Sequence, residues 1–172
     1  SLVGSEMCIR DRFYVEYRFK LESGAGGQPA LWSMDMCHWL SRPYPCSEQS
    51  ALNEHLEIDV FEYNNGKATV HKWREANAGG VGVITPWADK STHINCGGPA
   101  PGYTIGTFAT FGWQANGGVA TFFKNDVRTG SLGPTSCGIP WGLQSKGRYP
   151  LLIGGKVGDV IVMDYVRVWK AP

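Results

Sequence analysis

Between residues 13 and 21 apolar and polar side chains alternate without a fault. Phe13, Val15, Tyr17, Phe19 and Leu21 fall on one face, and Tyr14, Glu16, Arg18 and Lys20 on the other. A period of two predicts a half-buried strand. Gly24, Gly26 and Gly27 break it before an apolar segment at 29–34. Further strands are expected at 56–62, 68–73, 81–84, 107–113, 119–124, 149–153 and 160–169. In the last of these Val160, Val162, Val166 and Val168 keep one parity. Turn signals separate the runs at Asn64-Asn65-Gly66, where Asn-Gly favours positive φ, at Asn116-Gly117-Gly118 and at Asn125-Asp126. No window carries a convincing helical period, although 47–53 could form one helical turn. About ten short strands without a βαβ rhythm predict an all-β antiparallel sandwich or barrel.

Composition agrees with that pattern. The chain of 172 residues holds 23 Gly, 10 Pro and seven Trp, with 18% charged and 42% hydrophobic residues. That is the make-up of one globular domain rich in turns, and it excludes a disordered chain. A formal charge of +1 gives no electrostatic basis for binding nucleic acid or an anionic membrane. No apolar run is long enough to span a bilayer as a helix. Residues 1–12, Ser1 to Arg12, have neither a strand nor a helix period and resemble a translated sequencing adapter; the alternative is a native polar arm. The domain is therefore expected to occupy residues 13–172, with whatever natively preceded Phe13 missing.

The segment His55-Leu56-Glu57-Ile58-Asp59-Val60-Phe61-Glu62-Tyr63 is unusual. Leu56, Ile58 and Val60 share one face of a strand, so Glu57 and Asp59 share the other. Strict alternation would send Glu62 into the core as an unpaired carboxylate, at high cost. One β-bulge near Val60-Phe61 would flip the parity and return Glu62 to the face of Glu57 and Asp59. Three carboxylates would then line one sheet face. Crowded acids of this kind suit glycoside hydrolysis, where one carboxyl serves as nucleophile and a second as acid and base. An exposed polar strand face paired to neighbouring Lys or Arg is the non-catalytic alternative.

Glu57-Ile58-Asp59-Val60-Phe61-Glu62 resembles the E-x-D-x-x-E signature of glycoside hydrolase family 16, the laminarinases, agarases, carrageenases and related endo-glycanases. Two flanks agree. Residues 14–21 leading into Pro29-Ala30-Leu31-Trp32 resemble that family's strand before its Pro-Ala-aromatic-Trp segment, and Met163-Asp164-Tyr165-Val166-Arg167-Val168-Trp169 resembles its final strand. The resemblance implies a concanavalin-like jelly-roll sandwich of two antiparallel sheets and a retaining double displacement on a β-linked polysaccharide. It implies Glu57 as nucleophile, Asp59 as the residue that orients it, and Glu62 as acid and then base. The spacing looks like the bulged subgroup; the unbulged lichenase pattern has one residue fewer. Trp32 is expected to floor the sugar site, and His71 and Trp73, which share parity on the next strand, are expected to face substrate. Trp39, Trp87, Trp113 and Trp141 are more readily explained by packing. Two departures touch the expected cleft wall: Gln28 stands where many members carry Trp, and a loop at 35–54 is inserted.

No cofactor is implied. Asp164 matches a position that often joins a structural calcium site in the family, but an Asp paired with a nearby Arg or Lys is the favoured reading. Among established motifs no P-loop, G-x-S-x-G, H-E-x-x-H or C-x-x-C occurs. With Cys8 inside the excluded stretch, Cys37, Cys46, Cys96 and Cys137 remain. An even set fits an oxidising compartment, so disulfide bonding and a secreted or periplasmic location are expected. Three pairings are open; Cys37–Cys46 with Cys96–Cys137 is preferred because the first closes a short loop, and free thiols are the other state. The expected protein is a monomer whose partner is a polysaccharide. A carbohydrate-binding module without hydrolysis and a transglycosylase using the same intermediate are the competing functions.

Overall fold

The computed structural model describes residues 12–34, 54–74, 92–116, 118–133, 135–136 and 151–170; at 12, 34, 54–56, 72–74 and 92–95 it describes the backbone alone. Ten strands are present among them: β1 (Arg12–Gly24), β2 (Ala30–Met34), β3 (Glu54–Glu62), β4 (Lys67–Arg74), β5 (Thr92–Gly97), β6 (Phe108–Asn116), β7 (Val119–Lys124), β8 (Val127–Leu132), β9 (Leu151–Gly154) and β10 (Asp159–Lys170). They form two five-stranded antiparallel sheets, ordered β10-β1-β6-β7-β8 and β5-β4-β3-β2-β9. This is an all-β jelly-roll sandwich, as the alternation predicts.

The core is built by inward residues of both sheets. Val15, Tyr17, Phe19 and Leu21 of β1 are fully buried, as are Leu31 of β2 and Ile58 and Phe61 of β3. Phe61 is the ring that joins the layers. It packs edge-on against Phe19 at 4.8 Å, Phe111 at 5.0 Å and Tyr103 at 5.3 Å between centroids, an arrangement that favours aromatic quadrupoles as well as apolar burial. Trp113 is core too, edge-on to Phe13 at 4.8 Å. Trp39, Trp87 and Trp141 lie outside the described residues, as do the expected strand at 81–84 and the helical turn at 47–53.

Three differences from the sequence pattern have physical causes. First, β10 does not keep one parity. Arg18 faces Tyr165 while Phe19 faces Met163, so Asp164 is an extra residue in the ladder. Ile161 and Met163 therefore lie opposite Leu21 and Phe19, whereas beyond the bulge Val166 and Val168 take the positions opposite Tyr17 and Val15. Asp164 pairs with Arg18. A carboxylate held by a guanidinium does not fit a calcium ligand, since the two cations would compete for the same oxygen. Second, β5 and β8 were not apparent from alternation. Both are edge strands, and on β8 no residue is buried, so no apolar face marks it. The Asn125-Asp126 signal is nonetheless a true two-residue hairpin, with φ of 48° and 65°. Third, the disulfide expectation narrows. Cys96 is the one cysteine among the described residues, so no bond joins two of them, and its own sulfur is disulfide-bonded. Its Sγ is buried 3.5 Å from the Ser136 carbonyl oxygen; Cys37, Cys46 and Cys137 lie outside.

Phe61→Ala should lower stability by about 3–5 kcal/mol, because three ring contacts vanish and the sheets cannot close the gap. Urea denaturation with an unchanged slope is the measurement that checks it.

Candidate functional site

The acidic strand is bulged where the alternation requires. Against β4, Asp59 faces Thr69 and Glu62 faces Lys67, so Val60 and Phe61 together oppose the one residue Ala68. The neighbouring ladder to β2 shows the same extra residue: Leu31 faces Phe61 and Trp32 faces Asp59. Val60 and Phe61 are both buried in the core, 2% and 0% exposed. Two consecutive inward residues restore Glu62 to the outer side, beside Glu57 and Asp59.

Cross-strand register then gathers the site. Glu57 pairs with His71, and Asp59 lies between Trp32 on β2 and Thr69 on β4. The indole of Trp32, half-buried, reaches over Gly154 of β9; a Cβ there would meet its ring at 2.8 Å, so the glycine leaves room for the ring. Trp73 sits opposite His55 on β4, and its side chain lies outside the described residues.

Asp59, Glu62 and His71 are buried, while Glu57 is half-exposed. His71 Nε2 lies 2.9 Å from Asp59 Oδ2, and Asp59 also shares a hydrogen bond with Glu57. A bond between two carboxyl groups needs one proton. Burial pushes Asp59 above the usual carboxylate range, against the pull of His71 and Glu57. At His71, burial alone would favour the neutral ring. The hydrogen bond and charge of Asp59, helped by Glu57 and Glu62, outweigh it and raise the imidazole pKa. Glu62 is also pushed up, first by burial and then by the charge of Asp59, while His71 and hydrogen bonds from Gln28 and Tyr63 pull it down.

Gln28 and Tyr63 are the site residues that alternation does not reveal. Gln28 precedes β2 in a turn, and Tyr63 follows the strand at φ 59°, a left-handed conformation uncommon for an aromatic residue. Their visible signals are position alone: Tyr63 adjoins Glu62, and Gln28 occupies the place where the family resemblance leads one to expect Trp.

Chemically, the site offers three acids on one face, two of them with raised pKa, with an aromatic ring beside them. One donor atom each from Glu57, Asp59 and His71 lies within 4.8 Å of the others, so this trio could also hold a divalent cation. Among the described residues no helix is long and apolar enough to cross a membrane.

No protein-family model and no curated protein matches the chain. Solved structures do. The beta-porphyranase from the human gut bacterium Bacteroides plebeius superposes with a TM-score of 0.62 at 12% identity, over 94% of this chain and 63% of that one. LamAcat from Zobellia galactanivorans gives 0.56 at 22% identity, over 93% and 65%. The laminarinase catalytic domain from Thermotoga maritima gives 0.56 at 15% identity, over 96% and 65%. The chain thus spans a little under two-thirds of each. The class defined by fold and site is a jelly-roll sandwich similar in fold to these three proteins, carrying an acidic cluster on the outer face of one sheet.

Asp59→Asn should lower the His71 pKa, since the carboxylate that outweighs burial is removed. Nitrogen-detected NMR of the imidazole checks the direction; an unchanged or higher midpoint would contradict the pairing.

Proposed function

We propose that the chain is a retaining endo-glycosidase of the family 16 type that hydrolyses β-glycosidic bonds in a polysaccharide, a β-glucan or a marine galactan. The observation that carries this reading is the bulge in β3, which puts Glu57, Asp59 and Glu62 on one face although strict alternation would bury the third. The likeness to laminarinase and porphyranase folds supports it.

In the first step a Glu57 oxygen attacks the anomeric carbon, the glycosidic C–O bond breaks, and Glu62 gives its proton to the departing oxygen. Burial and the nearby Asp59 charge suit Glu62 to that role, because both keep the acid protonated to higher pH. In the second step Glu62, now a carboxylate, takes a proton from water as the water oxygen attacks the same carbon. The Glu57 ester bond breaks and its carboxylate returns. Asp59 shares a hydrogen bond with Glu57 and orients it, while His71 holds Asp59 in place. Trp32 gives the sugar ring an apolar platform, and Trp73 would extend it. A sugar hydroxyl taking the place of water gives transglycosylation. A polymeric substrate places the protein outside the cytoplasm, as a monomer needing no cofactor.

Glu57→Gln should reduce turnover of laminarin, agarose and carrageenan to background while circular dichroism stays unchanged; parent-like cleavage would remove the nucleophile role. Glu62→Ala should lose about 10²–10⁴-fold in rate on a natural linkage. It should still accept an aryl glycoside with a good leaving group, and azide should restore turnover with a β-glycosyl azide as product. A pure binding module would bind the polymer with equal affinity in all three forms and cleave with none. Dialysis against EDTA should leave kcat/KM within about twofold, since the proposed chemistry runs through carboxyl groups; a loss restored by one divalent cation would move the chemistry to the Glu57–Asp59–His71 trio.

A further inference from the structure

The proposed acid is supported from outside its own strand. The backbone N–H groups of Gly27, Gln28 and Lys156 all donate to the Asp159 carboxylate, at 3.1, 3.3 and 2.8 Å. Asp159 opens β10 in one sheet, and Gln28 leads into β2 in the other. Approach at this corner is too close for side chains. A Cβ at Gly26 would lie 2.7 Å from Asp159 Oδ2 and 2.9 Å from the Lys156 carbonyl oxygen, and one at Gly155 would lie 2.9 Å from Asp159 Cβ. Gly27 N–H closes the turn on the Gly24 carbonyl at 2.9 Å, and Pro29, buried next to Gln28, fixes φ where the chain enters β2. The Gln28 backbone is thus held on both sides, and its side-chain amide hydrogen-bonds Glu62.

We propose that Gln28 is a positioning residue for Glu62, its amide holding the carboxyl on the outer side of β3, and that Asp159 acts through it by fixing the turn that carries it. The proposal rests on the catalytic reading of Glu62 for its consequence, though the contact itself does not. Other groups face Glu62 as well. Asp59 adjoins it on β3, His71 acts on it from β4, Tyr63 hydrogen-bonds it from the following turn, and Lys67 is its register partner on β4. Gln28 is the one of these set from the β2 side, and it is uncharged. It stabilises the carboxylate by donation without adding a titration of its own. Removing the amide leaves burial and Asp59 less opposed, so the Glu62 pKa should rise.

The experiment uses the whole chain with ¹³Cδ-labelled glutamate, the Glu62 resonance being assigned by its loss in Glu62→Gln. In Gln28→Leu the Glu62 midpoint should move up by about half a unit or more, with Gln28→Ala as a second variant should the leucine disturb folding. In Asp159→Asn, where an NH₂ replaces one acceptor, the midpoint should move the same way by less. The alkaline limb of the pH–rate profile should follow in each, with kcat falling more than KM changes. An unmoved or lowered midpoint in both Gln28 variants overturns the proposal. A shift with Gln28 but none with Asp159→Asn overturns the Asp159 part. A shifted midpoint accompanied by no hydrolysis in the parent would sustain the contact and sink the catalytic reading instead.

Discussion

Everything in the site depends on one extra residue in β3. A flat strand has two faces, and a chain that must show Glu57, Asp59 and Glu62 on one of them cannot do so when Glu62 lies three steps, an odd number, beyond Asp59. The bulge settles this by sending Val60 and Phe61 inward in succession. A strand with one residue fewer would also align three acids, but with a single side chain beneath the last gap. What the additional residue brings is Phe61, which meets rings from the opposite sheet and the Tyr103 loop. Alignment of the acids and closure of the core are therefore one structural event.

From that event the electrostatics follow. A carboxyl turned outward on an exposed sheet face would have an ordinary pKa. Here the outer face is covered enough that Asp59 and Glu62 are buried, and burial dominates both shifts. The site answers with donors of graded strength: imidazole to Asp59, amide and phenol to Glu62. Each makes the anion less unfavourable without cancelling the upward push of burial. Two carboxyl groups shifted upward beside a more exposed third is the asymmetry the proposed acid and base roles would draw on.

Much of this was legible in the chain. Alternation in β1 located the core face to the residue, and the impossible parity of Glu62 located the bulge. What was hidden had weak apolar signatures. The edge strand β8 has no buried residue, so no period marks it, and β5 is a short strand at the other edge. The Asp164 bulge was masked because valines flank it at positions whose parity looks continuous, and only the ladder with β1 exposes the slip. Gln28 and Tyr63 escaped because their role lies in where a turn points a side chain, which neither spacing nor composition encodes. The cysteine count suggested covalent links but not their pairing, and the described residues hold one cysteine, Cys96.

The Asp159 carboxylate has a consequence beyond the acid it serves. Two sheets pressed together by apolar contact are held strongly against separation but weakly against sliding, because such contact has no preferred direction. Hydrogen bonds have one. By taking three amides from the turns around β2, β9 and β10, Asp159 pins the layers at one corner. At the far corner, where β5 and β8 are the outer strands, the Cys96 sulfur meets the Ser136 carbonyl oxygen, so sliding of one layer over the other is opposed by directional contacts at both ends.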